Sequence, residues 1–402
     1  MPFVLMLLAI AVCPLAVPHW WESNRHKFLV SAGLGAPILA LYLVTRPAAI
    51  LGMAEEYVSF IILLAGLYVV SGGILLRGDL EATPATNTTF LAAGSVLASF
   101  IGTTGASMLL IRPLLQTNRE RRHVRHTVIV FVFLVSNIGG MLTPLGDPPL
   151  FLGYLQGVPF TWTFRLWPQW LFMVAALLAI YFVWDTRAYA RETAAARRRD
   201  RTEVEPLRVR GGLNGIGLIL IVLAVAFLHA PWREIAIVAV AAASLRLTPR
   251  PIRRANNFTA YPMIEVAVLF FGIFLTMIPA LDVLHARGGE LGVRRPWQFF
   301  WATGALSSFL DNAPTYLTFV ALAQGLGLTN EVIGVPHAIL SAISVGAVAM
   351  GANTYIGNAP NFMVKSIAEE AKVPMPSFFG FMLYSGGILV PLFVVVTLLF
   401  FR

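Results

Sequence analysis

Ser136-Asn-Ile-Gly-Gly-Met-Leu-Thr-Pro-Leu-Gly-Asp-Pro-Pro-Leu-Phe151 is the stretch whose reading decides the fold of this 402-residue chain. An apolar helix over 124–142 runs into it. Gly139, Gly140 and the prolines at 144, 148 and 149 then stop helix from continuing, because glycine disfavours helix and proline lacks an amide donor. Unwound backbone frees carbonyl and amide groups, and Asn137, Thr143 and Asp147 add side-chain oxygens. Oxygen-rich, sulfur-free ligation suits a hard monovalent cation such as sodium. The half-helix resuming near Leu150 offers its positive end to an anion instead. A solvated surface turn, with Asp147 as a cap, is the plain alternative. It is the weaker one because the same pattern returns at 353–362.

The composition says where such a stretch sits. Apolar residues make up 57% of the chain, charged residues 12%, and mean hydropathy is +0.75. A soluble domain carries about 25% charged residues, so this chain lacks the polar surface to cover itself in water. Its long apolar runs can satisfy their backbone in a bilayer only as helices. Ten spans are predicted, at 1–17, 28–45, 56–76, 124–142, 163–184, 213–229, 234–247, 262–284, 333–350 and 378–401. The first lacks a basic n-region and reads as a true helix, with a signal peptide as the weaker alternative. Two further apolar stretches, 85–111 and 296–323, are broken at Gly102-Thr103-Thr104-Gly105 and at Asp311-Asn312-Ala313-Pro314. They read as re-entrant hairpins, since irregular backbone at depth must face protein or a wet cavity.

Charge supports that count. The net charge is +9, and 22 of the 29 Lys and Arg fall in six segments on one side of the proposed topology, eight of them in 186–211. That is topology information and not a nucleic-acid footprint. It places both termini in the periplasm of an inner-membrane protein and the Arg-rich linker 186–211 in the cytoplasm. The lone Cys13 excludes a disulfide framework. The absence of a phosphate loop and of His-Glu-x-x-His removes ATP hydrolysis and the simplest metalloprotease reading, so an enzyme is not expected.

The linker divides the chain into halves that look alike. Thr143-Pro-Leu-Gly-Asp-Pro-Pro-Leu-Phe151 matches Thr354-Tyr-Ile-Gly-Asn-Ala-Pro-Asn-Phe362 at an offset of 211, and Ser99-Phe-Ile matches Ser308-Phe-Leu at 209. With an odd number of crossings in each, the second half is inserted upside down. The expected fold is an all-α polytopic membrane protein of two inverted five-span repeats, 1–185 and 212–402, each with a re-entrant hairpin and an interrupted helix. Asp147 then corresponds to Asn358. Asp311, a carboxylate at a hairpin break, costs on the order of 2.5–3.5 kcal/mol at bilayer depth, which argues for function beyond a helix cap. Two carboxylates that meet at the midplane raise each other's affinity for protons, and a bound cation lowers it, which is what exchange requires. Glu265 reads as interfacial, Glu55 and Glu56 as solvated, and His337 as a structural hydrogen-bonding residue. Lys365 reads as a boundary marker or a neutraliser of substrate charge.

Asn137-Ile-Gly-Gly-Met-Leu-Thr-Pro-Leu-Gly-Asp-Pro-Pro, Asp311-Asn-Ala-Pro-Thr and Asn353-Thr-Tyr-Ile-Gly-Asn-Ala-Pro-Asn together resemble the ion transporter superfamily. Within it, the chain looks like the NhaD-type sodium/proton antiporters and the related citrate-transporter branch. The resemblance implies a homodimer with a rigid scaffold and a mobile transport domain of two hairpins and two interrupted helices. It also implies ion and substrate binding at Asn137, Thr143, Asp147, Asp311, Asn312, Thr315, Asn353, Thr354 and Asn358. The first hairpin departs from the antiporter pattern, with Thr103 and Thr104 where an Asp-Asn pair is usual. It also lacks the Ser-Asn-Thr order of the dicarboxylate carriers. Two functions stay open. One is Na⁺/H⁺ antiport, with Asp147 and Asp311 holding Na⁺ and H⁺ in turn. The other is Na⁺- or H⁺-coupled uptake of a carboxylate or oxyanion. The expected partners are lipid and a small cation with protons or a small organic anion, with no cofactor beyond a bound Na⁺ and no nucleic acid.

Overall fold

The computed structural model describes residues 2–328 and 331–402. Among them, five helices are long and apolar enough to cross a bilayer: Asn24–Thr45, Pro47–Ser71, Phe160–Ala190, Tyr261–Leu291 and Phe378–Phe400. Pro2–Pro14, Arg125–Met141, Leu213–Phe227 and His337–Asn353 are shorter apolar helices, and Trp232–Leu247 accompanies them. The chain is therefore a helical, multi-pass membrane protein. Two of the short helices, Arg125–Met141 and His337–Asn353, are the ones whose sequences were read as interrupted, and each tightens to a 3₁₀ turn before stopping.

Both broken stretches form two helices separated by a break. Pro84–Ile101 starts with Thr83 accepting from the Thr86 amide at 3.1 Å and stops at Gly102. Gly102 has φ 81° and ψ 147°, a conformation that L side chains avoid, and Thr103–Thr117 starts directly after it. Pro296–Ser307 is followed by the non-helical residues 308–311 before Asn312–Gln324, whose N-cap is Asp311. The first break is a single residue, narrower than the four read from sequence, while the second keeps that length but lies at 308–311 and not at 311–314.

The halves interleave. Pro2–Ala16, Asn24–Thr45, Pro47–Ser71, Leu213–Phe227, Trp232–Leu247 and Tyr261–Arg287 pack together. The broken pairs, the interrupted helices and the helices Trp167–Ala190 and Phe378–Phe400 pack around a second centre, where Val128–Val135 and Ala342–Met350 are almost wholly buried. A half-buried ion pair, Lys27 to Glu265 at 2.6 Å, ties the first group across 238 residues, so Lys27 is a packing residue and not a loop cation.

One small element of this helical fold is not helix. Leu75–Asp79 and Glu205–Arg210 form a two-stranded antiparallel ribbon with Leu75 opposite Arg210 and Asp79 opposite Glu205. The linker 186–211 is consequently not a loop: it holds the end of a long helix, the helix Ala194–Thr202 and this strand. Pairing over more than a hundred residues leaves no local periodicity, and each strand is only five or six residues long. Asp200 anchors the linker by accepting from the Ala82 amide at 3.1 and 3.0 Å. Burial, with Glu120, Glu81 and Asp79 nearby, pushes its carboxyl from 3.8 up to about 6. The charged form is thus disfavoured by folding, so the stability it contributes is present at low pH and lost as pH rises through about 6. The protection factors of the ribbon amides, with the base-catalysed rise of the intrinsic exchange rate divided out, should fall as pH rises through about 6. Asp200→Asn should remove that fall, and an unchanged pH profile in the variant would exclude Asp200 as its source.

Candidate functional site

The two interrupted helices are built alike, down to single hydrogen bonds. The Thr143 hydroxyl donates to the Ser99 carbonyl and accepts from the Leu145 amide at 3.2 Å. The Thr354 hydroxyl donates to the Ser308 carbonyl at 2.5 Å and accepts from the Ile356 amide at 3.2 Å. Each unwound segment is thereby pinned to the break in its own half, and the Thr103 amide donates to the Gly146 carbonyl at 2.8 Å. Asp147 (φ −146°, ψ 144°) and Asn358 (φ −154°, ψ 140°) have the same extended backbone at the start of Pro148–Leu155 and Ala359–Glu370. In both segments two glycines cross closely. A Cβ on Gly146 would lie 2.1 Å from the Gly140 carbonyl oxygen, and one on Gly357 would lie 2.5 Å from that of Gly351.

Where the two segments meet, the side chains converge on Asp147. Its Oδ1 accepts from the Thr103 hydroxyl at 2.8 Å and from Asn358 Nδ2 at 3.1 Å, and its Oδ2 accepts from Asn312 Nδ2 at 2.5 Å. These four residues are buried. All three donors are neutral, and among the described residues Asp147 takes part in no ion pair. A buried carboxylate with hydrogen bonds but no countercharge is stable only with a proton or a cation beside it. Asn312 Oδ1, on the residue that donates to Asp147, is also buried without a hydrogen-bond partner, as is Asn353 Oδ1 in the second interrupted segment.

Asn137 forms the other side of the junction. Its Nδ2 donates to the Val132 carbonyl at 2.8 Å and to Asn361 Oδ1 at 2.7 Å, while its Oδ1 accepts from Asn358 at 3.3 Å. Asn361 in turn donates to the Gly351 and Thr354 carbonyls, both at 2.9 Å. Asn361 was not singled out in the sequence, because its counterpart in the first half is the apolar Leu150 and the repeat gave no polar signal there.

The other candidates lie around this centre in lesser roles. Asp311 is half-buried, and its Oδ1 accepts from the Ala313 amide at 3.0 Å, so the cap and not a contact with Asp147 is its visible role. Thr315 donates to the Asp311 carbonyl at 2.9 Å. Asn353 donates to the Ser308 hydroxyl at 2.9 Å, and Thr104 is half-buried one residue beyond Thr103. The second-rank residues lie outside the junction. His337 accepts from Trp162 Nε1 at 2.9 Å, and Lys365 bonds both oxygens of Glu369 at 2.8 Å. Glu56 accepts from Gln156 at 2.8 Å, and Glu55 is exposed.

An uncharacterized transporter of Mycobacterium tuberculosis (strain H37Rv) and another of Mycobacterium bovis are each 26% identical to this chain over 354 residues, 80% of either protein. Residues 1–401 match the family described as "Putative citrate transport". The chain belongs to that family, and it is a membrane transport protein and not an enzyme.

Proposed function

We propose that the chain is a secondary active transporter that exchanges a small monovalent cation, Na⁺ first, for protons at Asp147. The observation that carries this reading is the buried Asp147 carboxylate, held by three neutral donors with no cationic partner. A proton or a cation satisfies it equally well in charge, and only one of them at a time. Asn312 Oδ1, without a hydrogen-bond partner on a residue that contacts Asp147, supplies a further hard oxygen ligand. Asp311, at the second break, is the second carboxylate of the exchange.

The architecture assigned to this cycle is a pair of inverted repeats, 1–185 and 212–402, with two re-entrant hairpins. It is supported by the matching Thr–Ser, Gly–Gly and Asp/Asn geometry of the two interrupted segments. The group formed by 2–71 and 213–287 is the scaffold, and the group holding Asp147 is the transporting body of each protomer in a homodimer. Both termini face the periplasm and the linker faces the cytoplasm of the inner membrane. Ala195→Cys in a Cys13→Ala background should react with an impermeant maleimide only after cells are permeabilised. Labelling of intact cells would invert this topology.

A second reading, cation-coupled uptake of a carboxylate, has one observation in its favour: the description of the family. Asp147 then holds the coupling cation, and the amide groups at the breaks face the anion. Proteoliposomes with an entrapped pH-sensitive dye separate the two. Under antiport, Na⁺ alone drives proton flux; under coupled uptake, Na⁺ is silent until citrate or another carboxylate is added.

A further inference from the structure

A concentration of uncompensated charge lies away from Asp147. An open cavity of about 1130 Å³ is lined by the segment 112–126, the end of the long helix at 184–191, and residues 367–374 with Tyr384. Seven arginines and one lysine line it against a single acid, Glu370. Several of these cations are already committed: Arg121 to Asp185 at 2.5 Å, Arg119 to Glu203 at 2.7 Å and Arg112 to Glu370 at 3.7 Å. Arg122, Arg187, Arg191 and Lys372 have no acidic partner among the described residues, and all four are exposed. Like charges gathered in one concavity repel one another unless an anion sits among them.

We propose that this cavity holds the phosphate headgroup of an anionic phospholipid, with Arg122, Arg187, Arg191 and Lys372 as its cationic contacts. Two observations select a lipid over a free anion. Trp184 and Tyr384 stack at 5.9 Å on the cavity wall, the kind of amphipathic aromatic pair that sits at headgroup level. Next to them, the same two helices expose Phe182, Val183, Phe379 and Leu383, the last two by 76% and 79%. That apolar strip leads out of a basic pocket, which matches a molecule with a charged head and a hydrocarbon tail. The Arg125 guanidinium, donating to the Pro374 carbonyl at 2.6 Å, bounds the cavity between segments 249 residues apart. An occupied headgroup would therefore brace the two halves of the chain. This assignment is independent of what the transporter carries.

The test uses the purified full-length protein in neutral detergent, titrated with phosphatidylglycerol or with phosphatidylcholine of the same acyl chains and read by native mass spectrometry. Each basic residue near a membrane surface contributes about fivefold in affinity. The parent should hold one phosphatidylglycerol at least about tenfold better than phosphatidylcholine, and the triple variant Arg122→Gln, Arg187→Gln, Arg191→Gln should lose on the order of a hundredfold. The single Arg187→Gln should lose about fivefold while Arg187→Lys keeps its affinity, which guards against a folding defect in the triple variant. Removing as much charge elsewhere, by Arg246→Gln, Arg250→Gln and Arg254→Gln, should change little. Equal retention of phosphatidylglycerol by parent and triple variant overturns the proposal, as does equal binding of the two lipids. Thermal stabilisation by inorganic phosphate or citrate, lost in the triple variant while phosphatidylglycerol has no effect, would assign the cavity to a free anion instead.

Discussion

Asp147→Asn should reduce Na⁺-driven proton flux in proteoliposomes by at least about a hundredfold, the weight of a charge-assisted ligand pair, without lowering the yield of folded protein. The variant keeps one side-chain oxygen for the Thr103 hydroxyl and Asn358 Nδ2. Its new amide faces Asn312, whose Oδ1 is buried without a partner, so a simple amide flip restores that contact. Removing a buried charge that lacks a counterion can leave stability unchanged or raise it. Asp311→Asn should have the same functional effect, since asparagine caps a helix as well as aspartate and preserves the bond to the Ala313 amide. Because a proton and a cation compete for one carboxylate, parent activity should rise with pH at fixed Na⁺ and saturate at lower Na⁺ as pH increases. Coupled anion uptake predicts another pattern, in which at least one variant transports largely as the parent does, because the negative charge opposes the substrate. Near-normal Na⁺-driven flux from both variants would end the exchange mechanism.

Gly146→Ala should cost the protein its fold more than any change at a charged residue. The added methyl would lie 2.1 Å from the Gly140 carbonyl oxygen and 2.9 Å from the Gly140 Cα, which are backbone atoms that no rotamer change can move aside. The crossing cannot open without shifting Asp147 and the Thr103–Gly146 hydrogen bond at 2.8 Å. A loss above about 4 kcal/mol is expected, enough to remove most folded protein from detergent extracts. Gly357→Ala should behave similarly but less severely, with contacts of 2.5 Å to the Gly351 carbonyl oxygen and 2.8 Å to that of Ser307. Gly386→Ala is the contrast. It lies in the helix Phe378–Phe400 with open space around it, so alanine there should gain about 0.5–1 kcal/mol of helix stability. Size-exclusion profiles after a heating series measure all three. A Gly146→Ala protein as heat-resistant as the parent would show that Gly140 and Gly146 do not cross at backbone contact.

The dependence of the site on such a crossing explains which parts of it were legible in the sequence. Stretches of apolar residues with few charges can close their backbone hydrogen bonds in lipid only as helices, so the helical membrane fold followed from composition and run length. Glycine and proline act on the residue that carries them, and the breaks at Gly102, after Ser136 and after Met350 could be placed to within a few positions. The 211-residue echo of Thr143-to-Phe151 in Thr354-to-Phe362 marked Asp147 and Asn358 as equivalent.

Partner choice was a different matter. Asp147 meets Asn312 and Asn358 across 165 and 211 residues, and Asn137 meets Asn361 across 224, distances at which sequence carries no phase information. Asp311 and Asn312 are neighbours, and which of them faces Asp147 depends on where the helix Asn312–Gln324 begins and how it is rotated. Only the packing of the two halves fixes that rotation. It turned Asp311 into a cap and Asn312 into the direct contact. The same packing paired residues 75–79 with the linker and gathered the basic cavity from three distant segments. Local chemistry thus determined which residues are exceptional in this chain, because helix and break are decided by near neighbours. The tertiary structure decided which of them share a site, because hydrogen bonds between distant segments form only after apolar burial has set the helices in register.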